Sequence, residues 1–141
     1  MISDTKVVAI GGGTGLSTML KGLKLHTHNI TAVVTVADDG GSSGILRSDL
    51  GMLAPGDVRN CVSALAEVDP VMGELLNFRF KDGSLKGHSL GNLFLAALNE
   101  TSSSFDEAVK KFSHLTGVVG TVYPVTNESV TLSALLEDGR L

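Results

Sequence analysis

A single cysteine, Cys61, stands in the 141 residues, so no internal disulfide can form. Basic residues are scarce and unclustered, 11 lysines and arginines against 15 acids, for a formal charge of -4. Without a Lys/Arg patch there is nothing to displace counterions from a phosphate backbone, which disfavours nucleic acid and anionic membrane surfaces as partners. No apolar run approaches the roughly 20 residues of a membrane span. The first residues are polar and then strand-like, unlike a secretory leader. Internal repeats and low-complexity segments are absent too. These absences together lead to the expectation of a cytoplasmic protein. What remains is a 43% apolar chain long enough for one cored domain over residues 1–141.

Glycine is what the chain has in excess, 17 residues, and seven of them fall in two clusters placed straight after apolar β-runs. Val7-Val8-Ala9-Ile10 leads into Gly11-Gly12-Gly13-Thr14-Gly15, and the β-branched run Ile30 to Ala37 leads into Asp38-Asp39-Gly40-Gly41-Ser42-Ser43-Gly44. Leu16, Met19, Leu20 and Leu23 recur at helical spacing after the first cluster. Strand, turn, helix and strand make a right-handed βαβ crossover with parallel strands. The expected fold is therefore α/β, a Rossmann-like three-layer sandwich with a mainly parallel sheet.

Further along, the Gly/Ser/Asp composition of Asp38 to Pro55 reads as a long functional or mobile loop. Pro55-Gly56-Asp57 offers an N-cap for a helix carrying Val58, Cys61, Val62 and Leu65. Helices are also expected from Val71 to Phe80, from Ser89 through Leu98, and from Phe105 to Leu115. Strands are expected at Thr121–Val125 and Ser129–Leu136, the latter entering a hairpin-type turn at Asp138-Gly139. Only Arg140 and Leu141 follow that turn. An unfinished hairpin implies a sheet incomplete at its C-terminal end, a fragment of a longer fold. A free edge completed by strand addition would favour a homodimer.

Glycines after a strand let a ligand approach the backbone, and the helix that follows offers free N–H groups and a positive dipole end to a phosphate. The first cluster meets only part of the dinucleotide fingerprint, since Leu16 holds its third glycine position and Gly15 comes one place early; Asp38 lies at the distance expected of the ribose-binding acid. No Lys-Ser/Thr follows, which excludes a Walker A loop. The alternative is a tight strand-to-helix turn without ligand. One carboxylate of Asp38-Asp39 would bind a ribose hydroxyl or Mg²⁺, since successive strand residues point to opposite faces and the two would not share one task; the alternative is that one of them caps the following turn.

Gly87-His88-Ser89-Leu90-Gly91 matches the G-x-S-x-G nucleophile elbow. An elbow needs a buried strand before it, and Asp82-Gly83-Ser84-Leu85-Lys86 is not one. The better reading is a helix N-terminus capped by Ser89, with His88 and Asn92 aimed at a ligand phosphate or sugar. Arg59 and Asn60 could face the same site as Asp57. His26 and His28 read as surface residues or helix-end dipole partners, and Cys61 as a packed core thiol. Asn127, between two expected strands, is either a turn residue or a base or sugar contact. No nucleophile and base pair stands out, so no catalytic residue is assigned.

Five ordered motifs carry a resemblance over nearly the whole chain: Gly11-Gly12-Gly13-Thr14-Gly15-Leu16-Ser17, Val34 to Gly44, Pro55-Gly56-Asp57-Val58-Arg59-Asn60, Gly87-His88-Ser89-Leu90-Gly91-Asn92 and Thr126-Asn127-Glu128-Ser129. The sequence resembles the gluconeogenesis factor family, the YvcK branch of the CofD-like proteins, whose members run to about twice this length. The resemblance implies a cytoplasmic bacterial protein that binds a UDP-type nucleotide sugar or NAD. It also implies an association with gluconeogenic growth, cell shape and wall synthesis, with cell-wall machinery proteins as partners. Gly11 to Gly15 would then line the phosphate side, with Gly12, Gly13 and Thr14 in contact. Asp38 or Asp39, followed by Gly40, Gly41 and Ser42, would hold ribose or Mg²⁺. Gly87, His88, Ser89 and Asn92 would form the opposite wall, with Asn60 beside the site and Asn127 near the base or sugar. The related CofD proteins transfer a phospholactyl group from a guanosine nucleotide with Mg²⁺. Two classes follow: a regulatory nucleotide-sugar sensor, favoured here, and a CofD-like transferase. A structural scaffold in wall synthesis is the third.

Overall fold

A computed structural model of the chain describes residues 1–141. Three strands, β1 (Val7–Gly11), β2 (Ile30–Val34) and β3 (Thr121–Pro124), form one parallel sheet in the order β1-β2-β3. Val7 pairs with Ile30 and Thr31 with Thr121, which aligns the carboxyl ends of all three strands at one end of the sheet. Six helices accompany them: α1 (Thr14–Leu23), α2 (Gly41–Leu50), α3 (Gly56–Leu65), α4 (Pro70–Asn77), α5 (Leu90–Glu100) and α6 (Phe105–Leu115). The α/β architecture and the opening β1-α1-β2 crossover are as the sequence pattern predicts.

The core lies between the sheet and α1, α3, α5 and α6. Ala32 and Val34 from β2 meet Leu20, Val58, Val62, Leu65 and Phe112, all essentially without exposure. Each of the valine, leucine and phenylalanine side chains contributes about 1.5–3 kcal/mol by leaving water, and Phe112 is the largest of the fully buried side chains. Alternation along the strands sends the other set of side chains to the opposite face. There Val8 is 65% and Ile10 75% exposed, so within these residues the sheet is covered by helices on one face and is not closed. No helix is long and apolar enough to cross a membrane.

Four local expectations are corrected. The presumed long loop from Asp38 to Pro55 contains α2, whose Ser42, Ser43 and Leu46 are buried. Its C-cap, Gly51, takes the left-handed conformation (φ 63°) and donates its N–H to the Arg47 carbonyl. Within Pro55-Gly56-Asp57 the N-cap is Pro55, which makes no side-chain capping bond, and Asp57 lies in the first turn of α3. Helix α4 stops at Asn77 because Phe78 is extended, after which Arg79 bridges to Ser89. Finally, Ser129–Leu136 forms no strand. It has no neighbour to supply a hydrogen-bonding ladder, its side chains are exposed, and only the turn at Asp138-Gly139 remains, where Gly139 (φ 82°) donates to Leu136.

Candidate functional site

Beyond the carboxyl ends of β1 and β2 lies a cavity of about 180 Å³ with no hydrophobic residue in its lining. An open parallel sheet places its ligand crevices at this end. Asp38 enters from the end of β2; Gly40, Gly41, Ser42 and Ser43 from the start of α2; Gly56, Asp57, Arg59 and Asn60 from the start of α3; Arg79 from the extended segment after α4; and Asn92 from α5. The first turns of α2 and α3 both border it, so unpaired helix N–H groups and two positive dipole ends converge on one space.

Glycines make this convergence possible. A Cβ on Gly44 would run into the Asp39 backbone, and one on Gly56 into Ser43 Oγ, which accepts the Gly56 N–H at 3.0 Å. The Gly56 to Ser43 bond ties the start of α3 to that of α2. In the first glycine cluster, a Cβ on Gly13 would overlap the Asp57 carboxylate. The loop thus receives Asp57 at the start of α1, an anion where the dipole favours one.

A buried polar chain runs behind the cavity. His88 Nδ1 and Ser42 Oγ share a hydrogen bond of 2.8 Å, and Asn92 Nδ2 donates to the same Ser42 oxygen at 3.0 Å. Asn92 Oδ1 accepts from Arg59 Nε at 3.2 Å, and Asn77 Oδ1 accepts from Arg59 Nη1 at 2.9 Å. Burial first, and then the like charge of Arg79, lower the pKa of the Arg59 guanidinium. Burial first, and then the nearby Asp38, raise the Asp57 carboxyl. The cavity therefore holds two positive and two negative side chains without a direct ion pair among them; every ion pair in the chain lies elsewhere.

Of the residues expected from sequence, Asp38, Gly40, Gly41, Ser42, Asn60 and Asn92 come together in this lining. His88 and Ser89 are buried behind it, and Gly87 (φ 88°) gives its carbonyl to Arg79. Gly12 and Gly13 adjoin the cavity through Asp57, while Gly11 closes β1 and Gly15 has open space around it. The Thr14 carbonyl accepts hydroxyl bonds from Ser17 and Thr18 within α1. Asp39 does not line the cavity. Asn127 is exposed, and its Oδ1 accepts the Asp106 N–H at 2.9 Å at the start of α6.

Ser89 is the N-cap of α5, accepting the Asn92 N–H at 3.1 Å with no exposure of its own. That role leaves the elbow-like motif without an accessible nucleophile. Ser43, Gly56 and Arg79 were not foreseen as lining residues. Only the polar start of α3 gave a signal, through Arg59 and Asp57; Arg79 is brought in by the antiparallel bridge of its segment to Ser89.

The fold and cavity define an open α/β protein with a polar, doubly charged site at its strand ends. Residues 7–141 match the family model described as 2-phospho-L-lactate transferase CofD, and the chain belongs to that family. The Bacillus subtilis protein named gluconeogenesis factor is 51% identical over 137 residues, which are 96% of this chain and 43% of that protein. A Thermoanaerobacterium thermosulfurigenes relative whose description also names a gluconeogenesis factor is 64% identical over 138 residues, covering 98% of this chain and 43% of its own length. A Bacillus halodurans crystal structure superposes with a TM-score of 0.93 at 48% identity, over 97% of this chain and 45% of that one. The chain thus spans less than half the length of these relatives.

Proposed function

We propose that these residues form part of a nucleotide-binding regulatory protein of the gluconeogenesis factor type, taking a UDP-sugar or NAD. The observation that carries the reading is the cavity itself: two arginines, two aspartates and the first turns of two ten-residue helices around a space without apolar lining. Such a set suits a phosphate-bearing ligand with hydroxyl groups, whereas it offers little to an apolar one. Roles in cell shape and wall synthesis, and cell-wall proteins as partners, belong to this proposal, as does a cytoplasmic location.

Asp38 and Asp57 facing one cavity also fit Mg²⁺, which binds through one or two carboxylates together with ligand phosphates and water. Bound there, the cation would neutralise phosphate charge. The Asp38 and Asp39 pairing expected from sequence would require Asp39 to turn toward the cavity. A second reading, a CofD-like transferase, is favoured by the family model that covers residues 7–141.

Titration calorimetry of UDP-N-acetylglucosamine, NAD and GDP into the full-length protein, each with and without Mg²⁺, separates the two. Metal-independent binding of the UDP-sugar or NAD supports the sensor. Binding of GDP alone, and only with Mg²⁺, supports the transferase.

A further inference from the structure

We infer that Arg59 is the anion clamp of the cavity, holding a phosphate or diphosphate group against the start of α2, and that Asn77 and Asn92 are positioning residues for its guanidinium. This rests on the nucleotide reading and says where the ligand's charge is taken.

Arg59 is 6% exposed and lines the cavity. A buried guanidinium is costly unless its charge is balanced. Here Nε and Nη1 are tied to the amide oxygens of Asn92 and Asn77, which are neutral, and Nη2 has no protein acceptor. No carboxylate lies within ion-pair distance, although Asp57 is only two positions away in sequence. The amides fix the plane of the fork and leave its charge and free donors without a partner among these residues.

The fold also makes room for this side chain. A Cβ on Gly91 would stand 2.6 Å from the Leu76 carbonyl oxygen and 2.8 Å from Arg59 Cδ, so the Arg59 stem crosses α5 only where a side chain is missing. Arg79 adds a second positive charge to the same lining, neither guanidinium being paired with Asp38 or Asp57 there, and an anion seated between the two arginines relieves their repulsion. At the first glycine cluster the reverse holds. The Asp57 carboxylate, which also lines the cavity, stands against Gly13, so a phosphate on that side would meet a like charge, whereas on the arginine side it meets Arg59 and Arg79.

The test is calorimetric titration of the full-length protein with inorganic pyrophosphate, and separately with UDP-N-acetylglucosamine and NAD, for the wild type, Arg59→Gln, Arg59→Lys and Asn77→Ala. Thermal unfolding of each protein is followed alongside. The wild type should bind pyrophosphate, and Arg59→Gln should weaken it by about tenfold or more, the range for a charge-assisted hydrogen bond. Arg59→Lys should recover part of the affinity without recovering thermal stability, because the charge returns but the fork to Asn77 and Asn92 does not. Asn77→Ala, at an exposed residue, should weaken binding by roughly threefold and lower the melting temperature less than Arg59→Gln does, since the bond from Arg59 to Asn92 remains.

A purely structural Arg59 would make affinity follow thermal stability, with lysine no better than glutamine, and that result overturns the inference. Nucleotide binding indifferent to Arg59→Gln overturns it too while leaving the nucleotide reading standing. Arg59-dependent pyrophosphate binding with no nucleotide binding supports the clamp and removes the nucleotide reading. No binding of any probe removes both.

Discussion

Gly91 is predicted to be intolerant of alanine for a reason that another helical glycine, Gly22, does not share. In a helix interior, glycine to alanine is worth about 1 kcal/mol in favour of alanine. Gly22, in α1, has nothing within 4 Å of an added Cβ, so Gly22→Ala should collect most of that gain. At Gly91 the new methyl meets the Leu76 carbonyl at 2.6 Å and Arg59 Cδ at 2.8 Å. The carbonyl is backbone at the end of α4 and cannot rotate away. Moving the Arg59 stem strains its bonds to Asn92 and Asn77, each worth about 1–3 kcal/mol for a charged donor. Overpacking of this kind costs about 1–3 kcal/mol even before a hydrogen bond is lost. After the helix gain is subtracted, Gly91→Ala should destabilise by about 1–3 kcal/mol, while Gly22→Ala stabilises by about 0.5–1 kcal/mol. Urea unfolding of both variants, followed by circular dichroism, measures the difference. Equal midpoints for the two would refute the argument that Gly91 exists to let Arg59 through.

Four further outcomes follow from the same packing. Asp57→Asn should raise stability at neutral pH: its carboxyl is raised by burial and by Asp38, so the native state loses stability as pH climbs from the ordinary carboxylate range through the raised value. The asparagine variant should lack that loss in a pH series of urea melts. Glu107 behaves oppositely. Hydrogen bonds from Ser103 hold it at about 2, so its contribution is present above the ordinary glutamate range and lost toward pH 2; Glu107→Gln should flatten the acid limb of helix unfolding. Cys61, buried with its thiol pushed up to about 12, should resist a thiol reagent in the native protein and react promptly in urea. Phe112→Ala, in the fully buried centre, should cost about 3–5 kcal/mol in the same urea assay.

What could be foreseen was what local pattern determines. The apolar run of β1, the glycine turn, the spacing of Leu16 and Leu20 and the β-branched β2 specify a crossover with no help from distant residues. Helix α2 was hidden because Gly41, Ser42, Ser43 and Gly44 have poor helix propensity; its first turn is held instead by tertiary contacts, with Gly44 against the Asp39 backbone and Ser43 against Gly56. Ser129–Leu136 has strand-like composition, yet a strand requires a partner ladder that composition cannot reveal. The site divided along the same line. Asp38 and the second glycine cluster follow a strand end and were visible, whereas Arg79 reaches the cavity through the bridge to Ser89 and carries no signal near it in sequence. Asn127, weighed as a ligand contact or a turn residue, hydrogen-bonds the first turn of α6.

The most direct measurement is a crystal structure of the full-length protein with UDP-N-acetylglucosamine, collected with and without Mg²⁺. Ligand phosphate oxygens at the start of α2 should lie within hydrogen-bond distance of Arg59 from α3, with any Mg²⁺ beside Asp38 and Asp57. A ligand whose diphosphate lies on Gly12, Gly13 and Thr14 with Arg59 untouched, or one bound away from this cavity, would contradict that placement.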